Sequence, residues 1–274
     1  MPIKLIALDM DGTLLSSDHV TVSARNLAAL KAAADRGVQL AIASGRSWTL
    51  VRETVERLGC MHYAITANGA NIRDIKASQT LGQIGMDREQ CKAVVRVLHA
   101  HSLPYELYID GETYVERGGV ETVEVIGFPE NFMEMFRRVA RQTDDMCAEV
   151  ERGIPEKFDV FYVPPDIRAQ VEREIEATGP LANAGALENN MELNSAHANK
   201  GVALAKLCAE LGIAPEEVMA FGDADNDPEM LSWAGWSFAM ANGTEAAKAA
   251  AKYLAPPNTE SGVGQMVEKY VLEQ

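Results

Sequence analysis

Two acidic residues near the start of the chain stand two positions apart, in Asp9-Met10-Asp11-Gly12-Thr13. They follow the apolar run Ile3–Leu8, which is typical of a buried strand. Alternate residues of an extended chain point the same way, about 6.5 Å apart at roughly 3.3 Å per residue. Both carboxylates could therefore face one reaction centre, whereas a lone aspartate here would be interpreted as a solvated turn.

A second acidic segment, Gly222-Asp223-Ala224-Asp225-Asn226-Asp227, follows another apolar run, Val218–Gly222. Ligands of α/β folds bind beyond the carboxyl ends of the strands, where both segments would lie. If the two strands are neighbours, Asp9, Asp11 and Asp223 form an oxygen-rich site that suits Mg²⁺. Because clustered carboxylates repel one another, a bound cation is the simplest way to keep them together.

A calcium loop of the EF-hand type does not fit this segment. Such a loop needs Gly at its sixth position and a bidentate Glu at its twelfth. Counted from Asp223, those positions hold Pro228 and Ala234. The acidic segment therefore favours a magnesium site over a calcium loop.

Two further short segments offer groups that suit a phosphate. Ser44-Gly45-Arg46 follows the apolar run Val38–Ala43 and presents a hydroxyl, backbone N–H groups beside a small residue, and a guanidinium. Asn199-Lys200-Gly201 opens a predicted helix, where a lysine adds a point charge to the favourable potential of the helix end. Taken singly, Ser44 could be a helix cap and Lys200 a surface charge, but their joint placement at such junctions favours a phosphate site.

The elements that must hold these segments alternate between strands and helices. Continuous apolar strands joined by helices predict a parallel sheet covered on both faces, which is a doubly wound, Rossmann-like α/β fold. The predicted strands are Ile3–Leu8, Val38–Ala43, Tyr63–Ala67, Val218–Gly222 and Trp236–Met240, and the predicted helices are Ser23–Arg36, Trp48–Leu58 and Lys200–Leu211.

The middle of the chain has a different pattern. Two short strands surround the turn Asp110-Gly111 within Tyr105–Val115, the strongest local hairpin signal of the sequence. Hairpins and separate helices predict an α+β unit at residues 82–188, inserted between core segments 1–81 and 189–274. Further predicted elements are the helices Asp87–Ala100, Phe132–Arg141 and Ile167–Ala177 and the strands Met146–Glu151, Phe158–Val163 and Met191–Leu193.

Composition narrows the class of protein. The 274 residues are 47% apolar and 24% charged, which excludes a disordered or collagen-like chain, and this length favours two domains. With 25 Lys and Arg against 40 Asp and Glu, the net charge of −15 argues against nucleic acid as a partner. No apolar stretch reaches the ~18 residues that a membrane span needs, and the first apolar run is too short for a signal peptide.

The four cysteines, Cys60, Cys91, Cys147 and Cys208, are widely spaced. They form no CxxC pair and no Cys/His cluster, which argues against a zinc site or a redox motif. Cysteines beside apolar neighbours usually act as small buried apolar residues. A reduced, cytoplasmic setting is therefore expected.

Four segments in order, Asp9-x-Asp11-Gly-Thr-Leu, Ser44-Gly-Arg, Lys200-Gly and Gly222-Asp-x-x-Asn-Asp227, resemble the motifs of the haloacid dehalogenase-like hydrolase superfamily. With Ala67-Asn68-Gly69-Ala70 before the long insertion, the chain is similar to the Cof-type subfamily, which has a C2 cap of subclass IIB. The resemblance covers essentially the whole chain. It departs at Ser44, where these enzymes frequently have Thr, and in the segment around His197, to which it assigns no role.

This resemblance implies a Mg²⁺-dependent phosphatase of small phosphorylated metabolites, such as sugar phosphates, nucleotides or phosphorylated cofactors. It implies that Asp9 attacks phosphorus to form an aspartyl-phosphate and that Asp11 acts as general acid and then as general base. Mg²⁺ would be held by the side chains of Asp9 and Asp223 and the backbone carbonyl of Asp11, while Asp227 orients Lys200 or a metal-bound water. The phosphate would be held by Lys200, Ser44, Asn226 and the N–H groups of Met10 and Gly45.

The inserted unit is expected to close over the site as a cap. Arg46 and Asn68 are the predicted core-side contacts to the leaving group. The loops Arg117–Gly119 and Gly185–Asn190 could reach the site from the cap, although a solvated surface loop is the simpler interpretation of each. Apolar residues between Phe128 and Phe136 could form the core of the cap or a subunit interface, so a monomer and a homodimer both stay open.

Three other functions fit part of this pattern. A phosphomutase of the same fold and cap type would need a bisphosphate activator. A receiver-type signalling module also places acidic residues, Ser or Thr and Lys around a phosphorylated Asp, but such modules are single domains without a long insertion. A non-catalytic metabolite-binding protein would not need to keep Asp9, Asp11, Lys200 and Asp223 together.

Overall fold

The computed structural model describes residues 2–183 and 189–273, whose strands form two separate sheets. In chain order the strands are β1 Leu5–Leu8, β2 Gln39–Ala43, β3 Tyr63–Thr66, β4 Asn71–Asp74, β5 Gln79–Gln83, β6 Tyr105–Ile109, β7 Glu112–Glu116, β8 Arg141–Thr143, β9 Pro155–Val160, β10 Leu181–Asn183, β11 Met191–Ser195, β12 Val218–Gly222, β13 Trp236–Met240 and β14 Tyr253–Ala255.

The α-helices of the described residues are α1 Ala24–Asp35, α2 Trp48–Leu58, α3 Arg88–Ala100, α4 Gly119–Ile126, α5 Glu130–Val139, α6 Met146–Arg152, α7 Pro165–Glu176, α8 Lys200–Leu211, α9 Pro228–Trp233, α10 Glu245–Ala250 and α11 Gly262–Val267. We call the eight-stranded sheet β14-β13-β12-β1-β2-β3-β4-β5 the core sheet and the six-stranded sheet β10-β11-β9-β6-β7-β8 the inserted sheet.

The core sheet is parallel from β14 to β3 and is covered by helices on both faces. Every residue of β1 is buried: Ile6 and Leu8 belong to a cluster with residues of α1 and α2, while Leu5 and Ala7 belong to a cluster with residues of α8. The predicted Rossmann-like α/β core is therefore confirmed. Chain order reverses between β1 and β12, so the point at which ligands bind in such folds lies between these two strands.

One edge of the core sheet differs from the prediction. After β3 the chain turns back through the antiparallel strands β4 and β5, which were not predicted. Most residues of β5 are only partly buried, so its sequence lacks the apolar run that marks a central strand. This hairpin leads the chain to the inserted sheet.

The inserted sheet packs one face against helices. Cys91, Val94 and Leu98 of α3 and Val171 of α7 form a buried cluster with residues of the sheet such as Phe158. The predicted hairpin β6–β7 is confirmed, and its turn residues Asp110 and Gly111 have φ of 51° and 80°. Positive φ at both central positions is the conformation that favours an Asp-Gly turn between twisted strands.

The inserted sheet extends further along the chain than predicted. β11 pairs with β9, with Met191 opposite Val160, and also with β10. The predicted return to the core at residue 189 is therefore too early, because the inserted sheet continues to Ser195. Alternation of apolar Met191 and Leu193 with polar Glu192 and Asn194 is the pattern of a strand with one apolar-packed face.

The predicted strand Met146–Glu151 is wrong, because this segment forms helix α6. Met146 and Val150, four residues apart, lie buried on one helical face, and Asp145 caps the helix by accepting a hydrogen bond from the N–H of Ala148 at 3.0 Å. A short apolar run does not distinguish strand from buried helix, whereas the Asp cap and the four-residue spacing indicate the helix.

The cysteine and membrane predictions have separate outcomes. All four cysteines are free thiols, and Cys91 and Cys208 are buried. Across residues 2–183 and 189–273, no helix has both the length and the apolar character to cross a bilayer. A cytoplasmic location stays a prediction.

Substitution of Val150 tests how helix α6 packs against the inserted sheet. Val150 is fully buried in the cluster beneath the inserted sheet, so we expect Val150→Ala to lower the free energy of unfolding by about 2 kcal/mol. Urea denaturation followed by circular dichroism measures this change. The control Glu151→Ala lies at a solvated position of the same helix and should change stability little. The reverse order of effects would contradict the burial of Val150 in this cluster.

Candidate active site

The ends of β1 and β12 bring the two acidic segments together. These parallel neighbours pair Leu8 with Phe221, and the N–H of Asp9 donates to the carbonyl of Phe221 at 3.0 Å. Carboxylate oxygens of Asp9, Asp223 and Asp227 all lie within 4.8 Å of one another. The predicted convergence of Asp9 and Asp223 is thus present, but the third carboxylate of the cluster is that of Asp227 and not, as predicted, that of Asp11.

The turn after β1 positions Asp223. Gly12 has a φ of 77°, and a Cβ at this position would lie 2.2 Å from Oδ2 of Asp223. The next residue, Thr13, donates its hydroxyl to Oδ1 of Asp223 at 2.7 Å. Glycine is required here both by the backbone conformation and by the close approach of the carboxylate.

Lys200 lies at the centre of the acidic cluster. It is the first residue of α8, which Asn199 caps by accepting from the N–H of Val202, and its side chain is fully buried. Its ammonium donates to Oδ1 of Asp9 at 2.6 Å, Oδ1 of Asp227 at 2.7 Å and Oδ1 of Asn226 at 3.1 Å. Burial opposes the charged form, but the two carboxylates outweigh it and raise the pKa of Lys200 above its usual range.

Asp227 forms hydrogen bonds within the acidic segment itself. Its second oxygen, Oδ2, accepts from the N–H groups of Asp223 at 2.8 Å and Ala224 at 2.9 Å. The side chain is fully buried, so these donors and Lys200 together satisfy both of its oxygens. Asp227 therefore fixes the loop that carries Asp223 as well as the lysine.

Burial and mutual repulsion disfavour negative charge on this cluster. Burial, with Asp227 and Asp223 adding to it, raises the pKa of Asp9 well above its usual range despite the contact with Lys200. Burial and the charge of Asp227 likewise raise the pKa of Asp223 to about 6. A cation would relieve this repulsion, and a donor set made only of oxygens fits Mg²⁺.

Asp11 occupies a different environment. Arg46 donates to it twice, from Nε to Oδ2 at 2.8 Å and from Nη2 to Oδ1 at 2.5 Å, and Nδ1 of His19 lies 2.9 Å from Oδ1. Burial alone would raise the pKa of Asp11, but Arg46 and His19 outweigh burial and lower it to about 2. Arg46, predicted to contact a leaving group, thus forms an ion pair with Asp11 in this structure.

The predicted phosphate-binding residues lie around the cavity that contains Asp9 and Asp11. Ser44 follows β2, its N–H donates to the carbonyl of Ile65 at 2.9 Å, and its hydroxyl accepts from the N–H of Arg46 at 3.2 Å. Ser44, Gly45 and Asn226 line one cavity with Asp9 and Asp11. The side chain of Met10 is buried in the cluster between the core sheet and its helices, which leaves the backbone of Met10 as the part between the two aspartates.

Asn68, the other predicted leaving-group contact, joins the two sheets. Its Nδ2 donates to Glu192 at 2.7 Å and to Asn194 at 3.2 Å, both on β11, and its Oδ1 accepts from Asn226 at 2.9 Å. These contacts occupy its amide, and Asn68 is not among the residues that line the cavity. The structure therefore places it as a link between Asn226 and the inserted sheet.

The cavity has a volume of about 480 Å³ and lies between the two sheets. Its polar wall on the inserted sheet was missed by the sequence analysis. The sequence does contain a pattern that indicates this wall: polar residues stand at alternate positions of strands, as in Tyr105–Ile109 and Lys157–Asp159, and so share one face of the sheet. The inserted-unit residues that line the cavity are Glu106, Tyr108, Ile126, Gly127, Phe128, Pro129, Phe132, Lys157, Asp159, Phe161, Asn190 and Glu192.

Other sequence predictions about the inserted unit have mixed outcomes. Arg117 pairs with exposed Asp144, and the loop Arg117–Gly119 does not line the cavity. Of the loop Gly185–Asn190, residues 185–188 lie outside the described residues, whereas Asn190 lines the cavity. Phe136 is buried in a cluster that includes Leu50 and Ala67 of the core, while Phe128 and Phe132 line the cavity. The oligomeric state stays a prediction.

Replacement of Arg46 tests the environment of Asp11. Arg46→Ala removes the guanidinium that opposes burial, so we expect the pKa of Asp11 to rise from about 2 towards its ordinary value of 3.8. A pH titration of the Asp11 carboxyl carbon by NMR measures this change. The control Arg57→Ala, which removes a hydrogen bond to the carbonyl of Val20, should leave it unchanged. An unaltered pKa in Arg46→Ala would contradict the ion pair.

Comparison with known proteins supplies an independent finding. The model of the haloacid dehalogenase-like hydrolase family matches residues 6–267. The chain is 32% identical, over 98% of its length and 96% of the relative, to 5-amino-6-(5-phospho-D-ribitylamino)uracil phosphatase YcsE of Bacillus subtilis. It is 31% identical, over 97% of its length and 99% of the relative, to phosphatase YwpJ of the same organism.

A solved structure agrees with the sequence relatives. A haloacid dehalogenase-like hydrolase from B. subtilis superposes with a TM-score of 0.85 and 29% identity, covering 97% of this chain and 99% of that one. The family match spans nearly the whole chain, from β1 through both sheets to α11. The chain therefore belongs to the haloacid dehalogenase-like hydrolase family.

Proposed function

We propose that the protein is a Mg²⁺-dependent phosphatase that hydrolyses small phosphorylated metabolites through a phosphorylated Asp9. The observation that carries this proposal is the contact of the Asp9 carboxylate with the Lys200 ammonium at 2.6 Å, beside Asp223 and Asp227. The B. subtilis relative named for a phosphorylated ribitylaminouracil supports a small phosphorylated metabolite as the substrate. Sugar phosphates, nucleotides and phosphorylated cofactors are the classes to test.

The proposed chemistry has two displacements at phosphorus. A carboxylate oxygen of Asp9 attacks, a new O–P bond forms, and the bond to the leaving alkoxide breaks as Asp11 gives that oxygen a proton. Water then attacks the phosphorus of the aspartyl-phosphate, Asp11 takes a proton from that water, and inorganic phosphate leaves. Free Asp9 is restored.

Asp11 must carry a proton in the first displacement, and its ion pair with Arg46 opposes this. The guanidinium has a competing partner once an anionic substrate enters, because Arg46 lines the same cavity as Asp9 and Ser44. Transfer of Arg46 from Asp11 to the substrate would let the carboxyl group take up a proton. This step unites the observed ion pair with the predicted substrate contact of Arg46.

The remaining residues would hold the phosphoryl group and the metal ion. Lys200, the Ser44 hydroxyl, the Asn226 amide and the N–H groups of Met10 and Gly45 are the proposed phosphate contacts. The side chains of Asp9 and Asp223 and the carbonyl of Asp11 are the proposed Mg²⁺ ligands. Asp227 would orient Lys200 or a water bound to the metal ion. Bound Mg²⁺ offsets the negative charge that carboxylate and phosphate bring together.

Asp9→Asn tests the nucleophile. The amide keeps the size of the side chain but cannot act as a carboxylate nucleophile, so we expect phosphate release to fall by a factor of about 10³ or more. Release is measured on 4-nitrophenyl phosphate and a panel of metabolite phosphates with Mg²⁺ and without any bisphosphate activator. Asp225→Asn, at an exposed position of the second acidic segment, is the matched control and should remain active.

Two results would count against this proposal. Turnover of Asp9→Asn close to that of the unaltered protein would remove Asp9 as nucleophile. Activity that appears only with a bisphosphate activator would favour the phosphomutase. Circular dichroism of each variant separates a loss of chemistry from a loss of folding.

Asp223→Asn tests the metal site. Loss of one negative oxygen donor weakens a hard cation site, so we expect the Mg²⁺ concentration for half-maximal activity to rise by at least tenfold. Chelation should abolish activity in the unaltered protein, and added Mg²⁺ should restore it. Full activity after dialysis against a chelator would contradict the metal requirement, and an unchanged Mg²⁺ dependence would remove Asp223 as a ligand.

A further inference from the structure

The inserted sheet presents a row of three carboxylates to the cavity. Strand pairing places Glu106 of β6 opposite Asp159 of β9, and Asp159 opposite Glu192 of β11. All three side chains line the cavity beside Asp9 and Asp11. Like charges placed directly opposite on neighbouring strands destabilise a sheet, so this row carries a cost that calls for a partner.

The nearby lysine satisfies only part of this row. Lys157 is almost fully buried, and its ammonium donates to Glu192 at 2.7 Å and to the carbonyl of Gly45 at 2.9 Å, with Asp159 at 3.7 Å. Glu192 also accepts from Asn68. The donors of Lys157 are thus directed at Glu192 and Gly45. Asp159 has a longer contact with the ammonium and also accepts a hydrogen bond from Asn190. Glu106 interacts with Lys157 only through its charge, so it is the member of the row that Lys157 satisfies least.

Glu106 retains an unused acceptor in the cavity wall. Its Oε1 accepts from the hydroxyl of Tyr108 at 2.6 Å, whereas its Oε2 is buried and has no hydrogen-bond partner among the described residues. Glu106 as a whole is 2% exposed, so water cannot satisfy this oxygen freely. Burial, with the charge of Asp159 adding to it, raises the pKa of Glu106 to about 8, because negative charge is disfavoured at this position.

An aromatic cluster forms another part of the same wall. Phe128 lies with its ring centre 5.2 Å from that of Phe132 and 5.9 Å from that of Phe161, and all three rings line the cavity. Such rings bind a planar ring by offset or edge contacts better than they bind a hydrated chain. Ile126 and Leu50 extend the apolar lining.

We propose that Glu106, Asp159 and the Phe128–Phe132–Phe161 cluster form a leaving-group subsite for phosphate esters of a planar ring that carries a protonated amino group. This inference rests on the proposed phosphatase function and specifies its substrate class. The ammonium of the leaving group would donate to Oε2 of Glu106 and neutralise the carboxylate row, while its ring contacts the phenylalanines. The ester phosphate would then lie towards Asp9, which lines the same cavity.

A matched pair of esters tests the subsite. Pyridoxamine 5′-phosphate and 4-deoxypyridoxine 5′-phosphate differ in an aminomethyl group against a methyl group on the same planar ring. We expect kcat/KM for the amine to exceed that for the methyl compound by about tenfold or more, because a hydrogen bond to a buried charged group typically contributes a difference of this size. Glucosamine 6-phosphate, an amine without a planar ring, should be a poorer substrate than pyridoxamine 5′-phosphate.

Variants test whether the carboxylate row causes the preference for the amine ester. Glu106→Gln removes the charge but keeps the shape, so the ratio of kcat/KM for the two pyridine esters should fall to within about threefold. Glu112→Gln, on the adjacent strand β7 and paired with Arg141 away from the cavity, should keep the full ratio. Hydrolysis of acetyl phosphate, which has neither ring nor amine, reports that each variant is folded and active. If Glu106→Gln loses that activity, Asp159→Asn provides the same comparison.

The outcomes separate this inference from the proposed function. Hydrolysis of acetyl phosphate with equal kcat/KM for the two pyridine esters overturns the subsite and leaves the phosphatase intact. A full ratio in both Glu106→Gln and Asp159→Asn also overturns it. If neither acetyl phosphate nor any of the metabolite phosphates is hydrolysed, the phosphatase proposal fails. Calorimetry of the two pyridine esters with the unaltered protein then decides the subsite: tighter binding of the amine supports it, and equal Kd values overturn it.

Discussion

The contact on which the site depends is the fully buried ammonium of Lys200 between Asp9 and Asp227. Loss of one partner from a buried ion pair leaves an uncompensated charge and typically costs about 3–5 kcal/mol. This contact joins the end of β1, the first turn of α8 and the loop after β12, which come from distant parts of the sequence. The same arrangement places the carboxylates of Asp9 and Asp223 close enough to repel each other, and a divalent cation would relieve this repulsion.

The inserted sheet is coupled to this centre by buried polar contacts. Lys157 donates to the carbonyl of Gly45, and Asn68 links Asn226 to Glu192. Groups proposed to hold the phosphate are therefore bonded to the wall proposed to hold the leaving group. Because buried polar groups are costly when they lose their partners, separation of the two sheets would need water or a ligand to replace these contacts. The cavity consequently has walls from both units of the chain.

The core could be predicted from the sequence because its signals are local and its topology follows rules. Apolar runs gave the strands, and helices between parallel strands imply coverage on both faces, so Asp9 and Asp223 had to meet if β1 and β12 were neighbours. The short helix α6 was missed because four to six apolar-rich residues suit either element. The contacts of Arg46 with Asp11 and of Asn68 with Glu192 depend on side-chain directions and on how two sheets face one another, which no spacing in the sequence encodes. The carboxylate row depends likewise on the register of three strands.

The central claim is that Asp9 accepts the phosphoryl group, and it can be tested directly on the protein. The measurement is mass spectrometry of peptides after the enzyme has been mixed with Mg²⁺ and acetyl phosphate and quenched in acid within milliseconds. We expect one added phosphoryl group on the peptide that contains Asp9, localised to that residue and lost on longer incubation before the quench. Phosphate release without any phosphorylated Asp9 peptide, or with the group on another residue, would contradict it.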